Sequence, residues 1–467
     1  MTVYELQRDP NRKTSAIGTG GTIACKKTLF VEDDEGTLTN TGILFPYFAE
    51  DESPQEQNLV RKLFSQWGKR NAGGCSYTPE ALRHPHYSVR DIHAMALSYL
   101  KNKGPKELLD VLQNADLEYL DVLLEDSANL RSGEIALTAS TIYDKATGRS
   151  PLGLTTVASQ RMEMQQFQEA ADMVYKEMSR ARSVVSTVGT DRMADFIRHI
   201  GYMIHFPNVP IVLTGANELP DSPDPDGFVN YANAVLASQY DFAGTVICFG
   251  GGVYGPETIK LLPGTSTPFF GDALAQIREG ELADISPKLL RENRNKAPEL
   301  YWNLKAVKNP LTLSTTTSDD DVREYFESLR SEDKLKHEAV LLIASGDGNA
   351  GSSPALIKEI KMYTKDGGLV VIAPEEGDGK FNPYYSAARA AIAAGAIHAR
   401  TDRKAARIKL SWGLGQVEHL HEMGERREWL ERIFKTRILD ERIPESEQFP
   451  YDRLHDELLA DNRASME

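Results

Sequence analysis

Three segments carry a hydroxyl or an amine just beyond a short apolar run, where a folded chain can do chemistry. The run Ser15–Gly18 opens into Gly18-Thr19-Gly20-Gly21-Thr22-Ile23-Ala24. Glycines let the backbone turn tightly and expose its N–H groups, which suits an anion or an oxyanion. Phosphate and dinucleotide loops use similar turns. This one lacks both the G-x-G-x-x-G spacing and a closing Lys-Ser/Thr pair, so nucleotide binding loses ground. What sets it apart is the hydroxyl of Thr19 at the strand end. The second segment is Thr187-Val188-Gly189-Thr190-Asp191, which closes one apolar run and opens a helical pattern. Thr and Asp are also ordinary helix N-caps, so this pair alone is open to plain capping. The third is Lys260, in Gly255-Pro256-Glu257-Thr258-Ile259-Lys260, where a lone loop lysine is usually a solvated charge.

The elements that must position these residues are legible. Ser15–Gly18, Ser183–Val188, Pro210–Gly215, Thr245–Phe249, Ala339–Ala344 and Leu369–Ala373 are short apolar runs, each ending in a small or polar residue. Such runs predict buried parallel strands. Met193, Phe196, Ile197, Ile200 and Ile204 mark one face of an intervening helix. Strands alternating with helices imply an α/β fold with a parallel sheet covered on both faces, and ligands at the carboxyl ends of its strands. The expected organisation is a larger catalytic domain over residues 1–295, a smaller α/β domain over 310–420 and a charged helical tail over 421–467. The polar stretch Asn293–Asn309 is the expected linker. Residues 30–110, charged and turn-rich with helical segments, and 136–159 are expected insertions, and Trp429, Leu430, Ile433 and Ile438 suggest an amphipathic helix in the tail. No internal repeat is evident.

Taken together, the segments resemble a family. Thr19-Gly20-Gly21-Thr22-Ile23-Ala24 resembles the first signature of the bacterial-type L-asparaginases, and Gly189-Thr190-Asp191-x-Met193 resembles the second. Between them, Glu125-Asp126-Ser127-Ala128-Asn129-Leu130 is similar to the family's substrate-binding serine segment. Val212-Leu213-Thr214-Gly215-Ala216 and Asp226-Gly227-x-x-Asn230-x-x-Asn233-Ala234 follow in the family's order, and Lys260 falls where the family keeps a catalytic lysine. Gly346-Asp347-Gly348-Asn349-Ala350 and the run Ala387–Leu410 resemble its C-terminal domain. The likeness covers about two thirds of the chain and misses the insertions and the tail.

The resemblance implies a two-domain fold and a cofactor-free amidohydrolase converting L-asparagine to L-aspartate and ammonia. Thr19 would attack the amide carbon to give an acyl-enzyme that water then hydrolyses. Thr190, Asp191 and Lys260 would stand beside it, with a partly desolvated Lys260 taking a proton through Thr190. Backbone N–H groups near Thr190 would hold the oxyanion. Asp191 would pair with the substrate ammonium and Ser127 would hold its α-carboxylate, with Asp126 and Gly189 completing the substrate site. A homodimer or homotetramer with sites at subunit contacts is implied in the same way.

Three positions depart from the family. Its usual His before the second Gly-Thr-Asp is Val188, which implies altered tuning. After Asp191 the family has a small hydroxyl residue and this chain has Arg192, expected to face solvent or to favour an acidic substrate. The family's lid tyrosine falls at Thr37, in Asp34-Glu35-Gly36-Thr37-Leu38-Thr39. The nearest tyrosine is Tyr47, in a Phe45-Pro46-Tyr47-Phe48 cluster that would equally serve as core packing. Either Tyr47 substitutes through a longer lid, or the lid step differs, or the chain is an inactive relative.

Bulk properties narrow the rivals. The chain has 467 residues, 41% hydrophobic and 26% charged, a globular balance. With 53 basic and 68 acidic side chains its formal charge is -15, which disfavours nucleic acid and anionic membranes as main partners. A component of a tRNA-dependent amidotransferase, which resembles the same family, is disfavoured on that charge and for want of a recognisable tRNA-binding extension. Cys25, Cys75 and Cys248 make no disulfide framework. The polar start MTVYELQRDPNRK and the lack of a run of about 20 apolar residues lead to a cytoplasmic expectation. Cys75, His84, His86 and His93 fit no familiar zinc spacing, and no metal is expected. Glu375-Glu376-Gly377-Asp378-Gly379 follows a strand and would suit a substrate-ammonium role across a subunit contact, although acidic turns are usually just solvated. The functional alternatives are a glutaminase or other small-amide hydrolase, and a ligand-binding or scaffold protein without turnover.

Overall fold

The computed structural model describes residues 12–18, 23, 28–32, 38–44, 89–121, 164–218, 220, 225–256, 259–260, 269–270, 273–289, 299–300, 311–314, 319–331, 339–346, 353–375, 386–417, 420, 423–439, 443 and 445–464. The chain divides into two units: Met1–Ile197 with Phe206–Glu299, and Arg198–His205 with Leu300–Glu467.

In chain order the first part holds β1 (Thr14–Gly18), β2 (Thr28–Glu32), β3 (Leu38–Leu44), α1 (Val89–Asn102), α2 (Lys106–Asn114), β4 (Leu117–Asp121), α3 (Met164–Met178) and β5 (Ser183–Thr187). It continues with α4 (Thr190–Met203), β6 (Ile204–His205), β7 (Pro210–Thr214), α5 (Gly227–Ser238), β8 (Gly244–Phe249) and β9 (Gly252–Tyr254). β10 (Ile259–Lys260), β11 (Phe269–Phe270), β12 (Ala275–Arg278) and β13 (Glu281–Ala283) complete it. From Arg198 onward, α4 and β6 belong to the second unit.

Eight of these strands form one sheet in the order β13-β12-β9-β8-β7-β5-β1-β4. Its half from β8 to β4 is parallel, and β9, β12 and β13 turn back antiparallel. The register aligns Ala16, Val185, Val212 and Val246 in one row across four strands. All four are buried in a single core with α1, α2 and α5. Side chains alternate along a strand, so Ile17, Val184, Ile211 and Ile247 fill the opposite face and are buried as well. Helix α5, GFVNYANAVLAS, is apolar nearly all round and buried nearly all round, lying between the sheet and the pair α1–α2. At the foot of the sheet the Ser15 hydroxyl donates to Glu177 Oε2 at 2.6 Å and Arg180 clasps the same carboxylate, which pins the end of α3 under β1.

Two boundaries differ from the sequence expectation. The insertion expected to reach Asp110 overlaps α1 and α2, whose Val89, Ile92, Ala96, Leu100, Leu108 and Leu112 are buried in the sheet's core. Their charged surface hid an apolar stripe at helical spacing. Helix α4 ends at Met203, and Ile204 passes into β6, still buried.

The second unit takes in Leu300 of β14 (Glu299–Leu300) and then holds β15 (Leu311–Ser314), α6 (Asp319–Ser331), β16 (Ala339–Ala344), α7 (Pro354–Lys365), β17 (Leu369–Pro374), α8 (Ser386–Ala393), β18 (Ile397–His398) and α9 (Arg403–Gln416). Its four parallel strands run β15-β16-β17-β18. β16 and β17, AVLLIA and LVVIAP, are buried at every residue, as strands covered on both faces must be. Asp402 caps α9 through the N–H groups of Lys404 and Ala405 and accepts from Arg198 at 2.9 Å. Helices α10 (Met423–Lys435) and α11 (Tyr451–Ala464) follow. They bury Leu430, Ile433, Phe434, Leu454 and Leu458. Lys409, wholly buried in α9, donates to the Thr436 carbonyl at 2.8 Å and lies over the Tyr202 and Phe434 rings. Among the described residues no helix is long and apolar enough to cross a membrane.

Candidate active site

Parallel register decides where the sequence motifs leave the sheet. Gly18 at the end of β1 is paired with Asp121 at the end of β4 and with Thr187 at the end of β5. Thr187 is paired in turn with Thr214 at the end of β7. The four strands thus finish on one line, and the segments carrying Thr19, Asp126–Ser127, Gly189–Asp191 and Gly215 begin one to five residues beyond it. Strand ends of this kind are where open α/β sheets bind their ligands.

Several of the expected site residues lie outside the described residues: Thr19, Thr37, Tyr47, Asp126 and Ser127, with Cys25, Cys75, His84 and His86. The backbones of Asp191 and Lys260 are described, the first in α4 and the second in β10, paired antiparallel with β11.

Thr190 is the first residue of α4 and is buried, with a relative exposure of 5%. Its turn is tied to the neighbouring strand, because the Val188 amide donates to the Thr214 carbonyl at 2.7 Å. Val188 is fully buried and makes an apolar wall. Behind Thr190 stands Gly215. A Cβ there would overlap the Val188 carbonyl oxygen, lie 2.6 Å from Met193 Cε and lie 3.5 Å from Thr190 Cγ2. The Thr190 methyl is therefore turned toward Gly215, and it is the Val188 carbonyl and Met193 that leave room there for glycine alone. Gly227 has the same role one loop over, where a Cβ would meet Ala216 Cβ and Ile23 Cγ1 at 2.9 Å. Ile23, fully buried, brings the chain leaving β1 back against the β7 loop.

Sequence reasoning gave Asp226 and Asn230 no task. In the structure the Asp226 carboxylate accepts the Asn217 and Glu218 N–H groups, the latter at 3.0 Å, and so fixes the β7 loop. Asn230 is 3% exposed; its Nδ2 donates to the Gly215 carbonyl at 3.0 Å and its Oδ1 accepts the Gly250 N–H at 2.9 Å. The signal that could have found it was an asparagine in a helix with no polar face to put it on.

The expectations for Arg192 are corrected. Its side chain is 20% exposed, its Nε lies 3.1 Å from Asp195, and its guanidinium sits 5.3 Å over the Phe167 ring. An i,i+3 carboxylate and an aromatic face hold it to the flank of α4 rather than in solvent. The Cys248 thiol is buried and its pKa is pushed up by desolvation, so it is no nucleophile. His93 packs on Tyr119 and Tyr231, and burial lowers its pKa. Among the described residues no group of His, Cys, Asp and Glu could hold a metal ion. Glu375, at the end of β17, lies 3.5 Å from Arg403 and accepts the Gly346 N–H; Glu376–Gly379 lie outside the described residues.

A parallel-dominated sheet whose motif-bearing segments all leave at one edge, followed by a second parallel sheet, defines a two-unit α/β protein of asparaginase-like architecture. Comparison with known proteins agrees. The family model described as "Asparaginase, N-terminal" matches residues 98–295. The structure is similar to the L-asparaginase of Thermococcus kodakarensis, with a TM-score of 0.57, 18% identity and coverage of 92% of this chain and 99% of that one. It is also similar to a probable cytoplasmic L-asparaginase from Campylobacter jejuni, with a TM-score of 0.53, 16% identity and coverage of 90% and 99%. Among curated proteins, a glutamyl-tRNA(Gln) amidotransferase subunit of Methanobrevibacter smithii is 26% identical over 58% of this chain and 63% of its own length. Its counterpart of the same name in Thermofilum pendens is 26% identical over 64% and 66%. The chain thus spans slightly less than two thirds of these relatives. Over residues 98–295 it is similar to the N-terminal asparaginase model, and in fold to the L-asparaginases.

Proposed function

We propose that the protein is an amidohydrolase that cleaves L-asparagine to L-aspartate and ammonia through an acyl-enzyme on Thr19. The observation that carries this reading is the common line on which β4, β1, β5 and β7 end, from which the segments of Ser127, Thr19, Thr190 and Gly215 all depart. In the mechanism proposed, Thr19 Oγ1 attacks the side-chain amide carbon. Its proton passes through Thr190 to Lys260, and the amide nitrogen leaves as ammonia once protonated. Water then attacks the ester, releasing aspartate and restoring the hydroxyl. The N–H groups at the start of α4 support the oxyanion, since a helix N-terminus favours developing negative charge. Asp191 and Ser127 take the substrate's ammonium and carboxylate, with Asp126 and Gly189 beside them. A cytoplasmic homo-oligomer without cofactor is part of the same proposal.

A second reading has its own support, because the curated relatives are named as parts of an amidotransferase. In it the same chemistry releases ammonia for use elsewhere, and the acidic balance that disfavoured it bears only on direct contact with nucleic acid. Ammonia release from asparagine, glutamine and a small amide panel tests the chemistry, and release that is slow until a partner protein is added favours the second reading. Turnover of asparagine that disappears in Thr19→Ala and Lys260→Met supports the first. No ammonia from any free amide, with tight aspartate binding, would leave a binding protein without turnover.

A further inference from the structure

The side chain of Asn230 makes three hydrogen bonds at a place where the proposed site has to be rigid. It is 3% exposed on α5 and touches three separate segments. One Nδ2 hydrogen goes to the Gly215 carbonyl at 3.0 Å and the other toward Asp226 Oδ2 at 3.4 Å, while Oδ1 takes the Gly250 N–H at 2.9 Å. Gly215 is the residue against which Thr190 rests. Gly250 and Gly251 are the two central residues of the β8–β9 turn, and Phe249 pairs with Gly252 across it. Their φ values of +57° and +78° make it the tight hairpin turn that only glycine enters cheaply. That hairpin leads, six residues after Tyr254, to Lys260. The β5 turn joins the same lattice through the bond from Val188 to Thr214, and Thr214 Oγ1 donates to the Cys248 carbonyl on β8 at 2.9 Å.

We propose that Asn230 is a positioning residue: it clamps the loop behind Thr190 to the turn that leads to Lys260, and so sets the separation of the two groups that share the nucleophile's proton. The role in catalysis rests on the amidohydrolase reading above. Among the described residues, Asn230 acts through Gly215 and Gly250. Unlike an ionised carboxylate of the same size, an amide donates to a carbonyl on one side and accepts an N–H on the other without charge. A carboxylate at this position would face the Gly215 carbonyl and Asp226 with lone pairs only. Burial and the neighbouring Asp226 would raise its pKa, and once protonated it would donate again.

The test uses the full chain, with the parent, Thr19→Ala, Asn230→Ala and Asn230→Asp. For Asn230→Ala the expected result is a kcat about 100-fold below the parent, the size of effect a misplacement near 1 Å produces, with KM within about threefold. Amide exchange at Gly250 and Val188 should rise about tenfold while the strands of β16 and β17 exchange as before. For Asn230→Asp the deficit in kcat relative to the parent should shrink about tenfold on going from about pH 8 to about pH 5.5, as the carboxyl regains its proton. A purely structural asparagine would lower the melting temperature and leave the kcat of the folded fraction, and its pH profile, like the parent's. That outcome overturns the proposal, as does unchanged exchange at Gly250. If Asn230→Ala does not fold, the pH profile and exchange of Asn230→Asp decide alone. Should the parent and Thr19→Ala alike release no ammonia, it is the amidohydrolase reading that fails; the clamp is then judged by exchange at Gly250 and Val188, and parent-like exchange in both variants overturns it.

Discussion

At the scale of single residues, small size and shape matter here as much as reactive chemistry. Gly215 shows this most directly. Gly215→Ala would drive a methyl into the Val188 carbonyl and Met193, and the expected cost is about 1–3 kcal/mol in urea unfolding. Because the displaced atoms border Thr190, the variant should also lose most of any amide turnover, whereas Gly424→Ala, with open space around it, should lose neither. Arg192 makes a complementary point. A charge beside a site motif is not evidence about substrate until its partners are known, and Asp195 and Phe167 account for this one.

At the scale of elements, α1 and α2 are the instructive pair. The sequence around them is charged enough to pass for an insertion, yet their buried stripe closes one face of the main sheet over α5. Ile92→Ala should therefore cost about 2–5 kcal/mol, the range for emptying a well-packed core position, and should lower the main unfolding transition rather than a minor one. A parent-like midpoint would mean that these helices are peripheral. Helix α4 acts differently: its N-terminus fixes Thr190 in the first unit while Arg198, in its later turns, binds Asp402 in the second. Arg198→Ala should leave the largely buried Asp402 carboxylate without that partner and destabilise the second unit by about 3–5 kcal/mol, measured by exchange of β16 and β17 amides.

At the scale of the whole molecule, pH is the informative variable. His205 is buried, its Nε2 faces the Tyr202 carbonyl at 3.0 Å, and its Nδ1 meets the Tyr451 hydroxyl on α11. A carbonyl can only accept, so Nε2 carries the hydrogen and Nδ1 accepts from Tyr451. Burial, with His455 stacked nearby, pushes the imidazole pKa down to about 3. The unfolded chain binds its proton near the ordinary histidine value of about 6.5, so the folded state holds fewer protons between those values. Stability from this group is complete above about pH 6.5 and falls toward pH 3, at up to about 1.4 kcal/mol per pH unit. His205→Phe should flatten that acid limb in urea titrations at several pH values; an unchanged slope would assign the acid sensitivity elsewhere. Helices α10 and α11 cover α9 and β6, so truncation before Met423 should expose Trp412 and Leu430's partners and abolish cooperative unfolding of the second unit.

The strand interiors are legible in the sequence because buried parallel strands are written as unbroken apolar runs. Ala339–Ala344 is legible to the residue, and Ser183–Val188, Pro210–Gly215 and Thr245–Phe249 to within one at either end. The motif segments are legible too, since glycine and hydroxyl residues after a strand are local signals. What tertiary structure alone decided is which ends lie side by side, because register is a relation between strands far apart in the chain. It put Gly18, Thr187, Thr214 and Asp121 on one line and gave Asn230 its two distant partners, 15 and 20 residues away. It also reclaimed α1 and α2 for the core. Apolar periodicity says that a face will be buried, and only packing says against what.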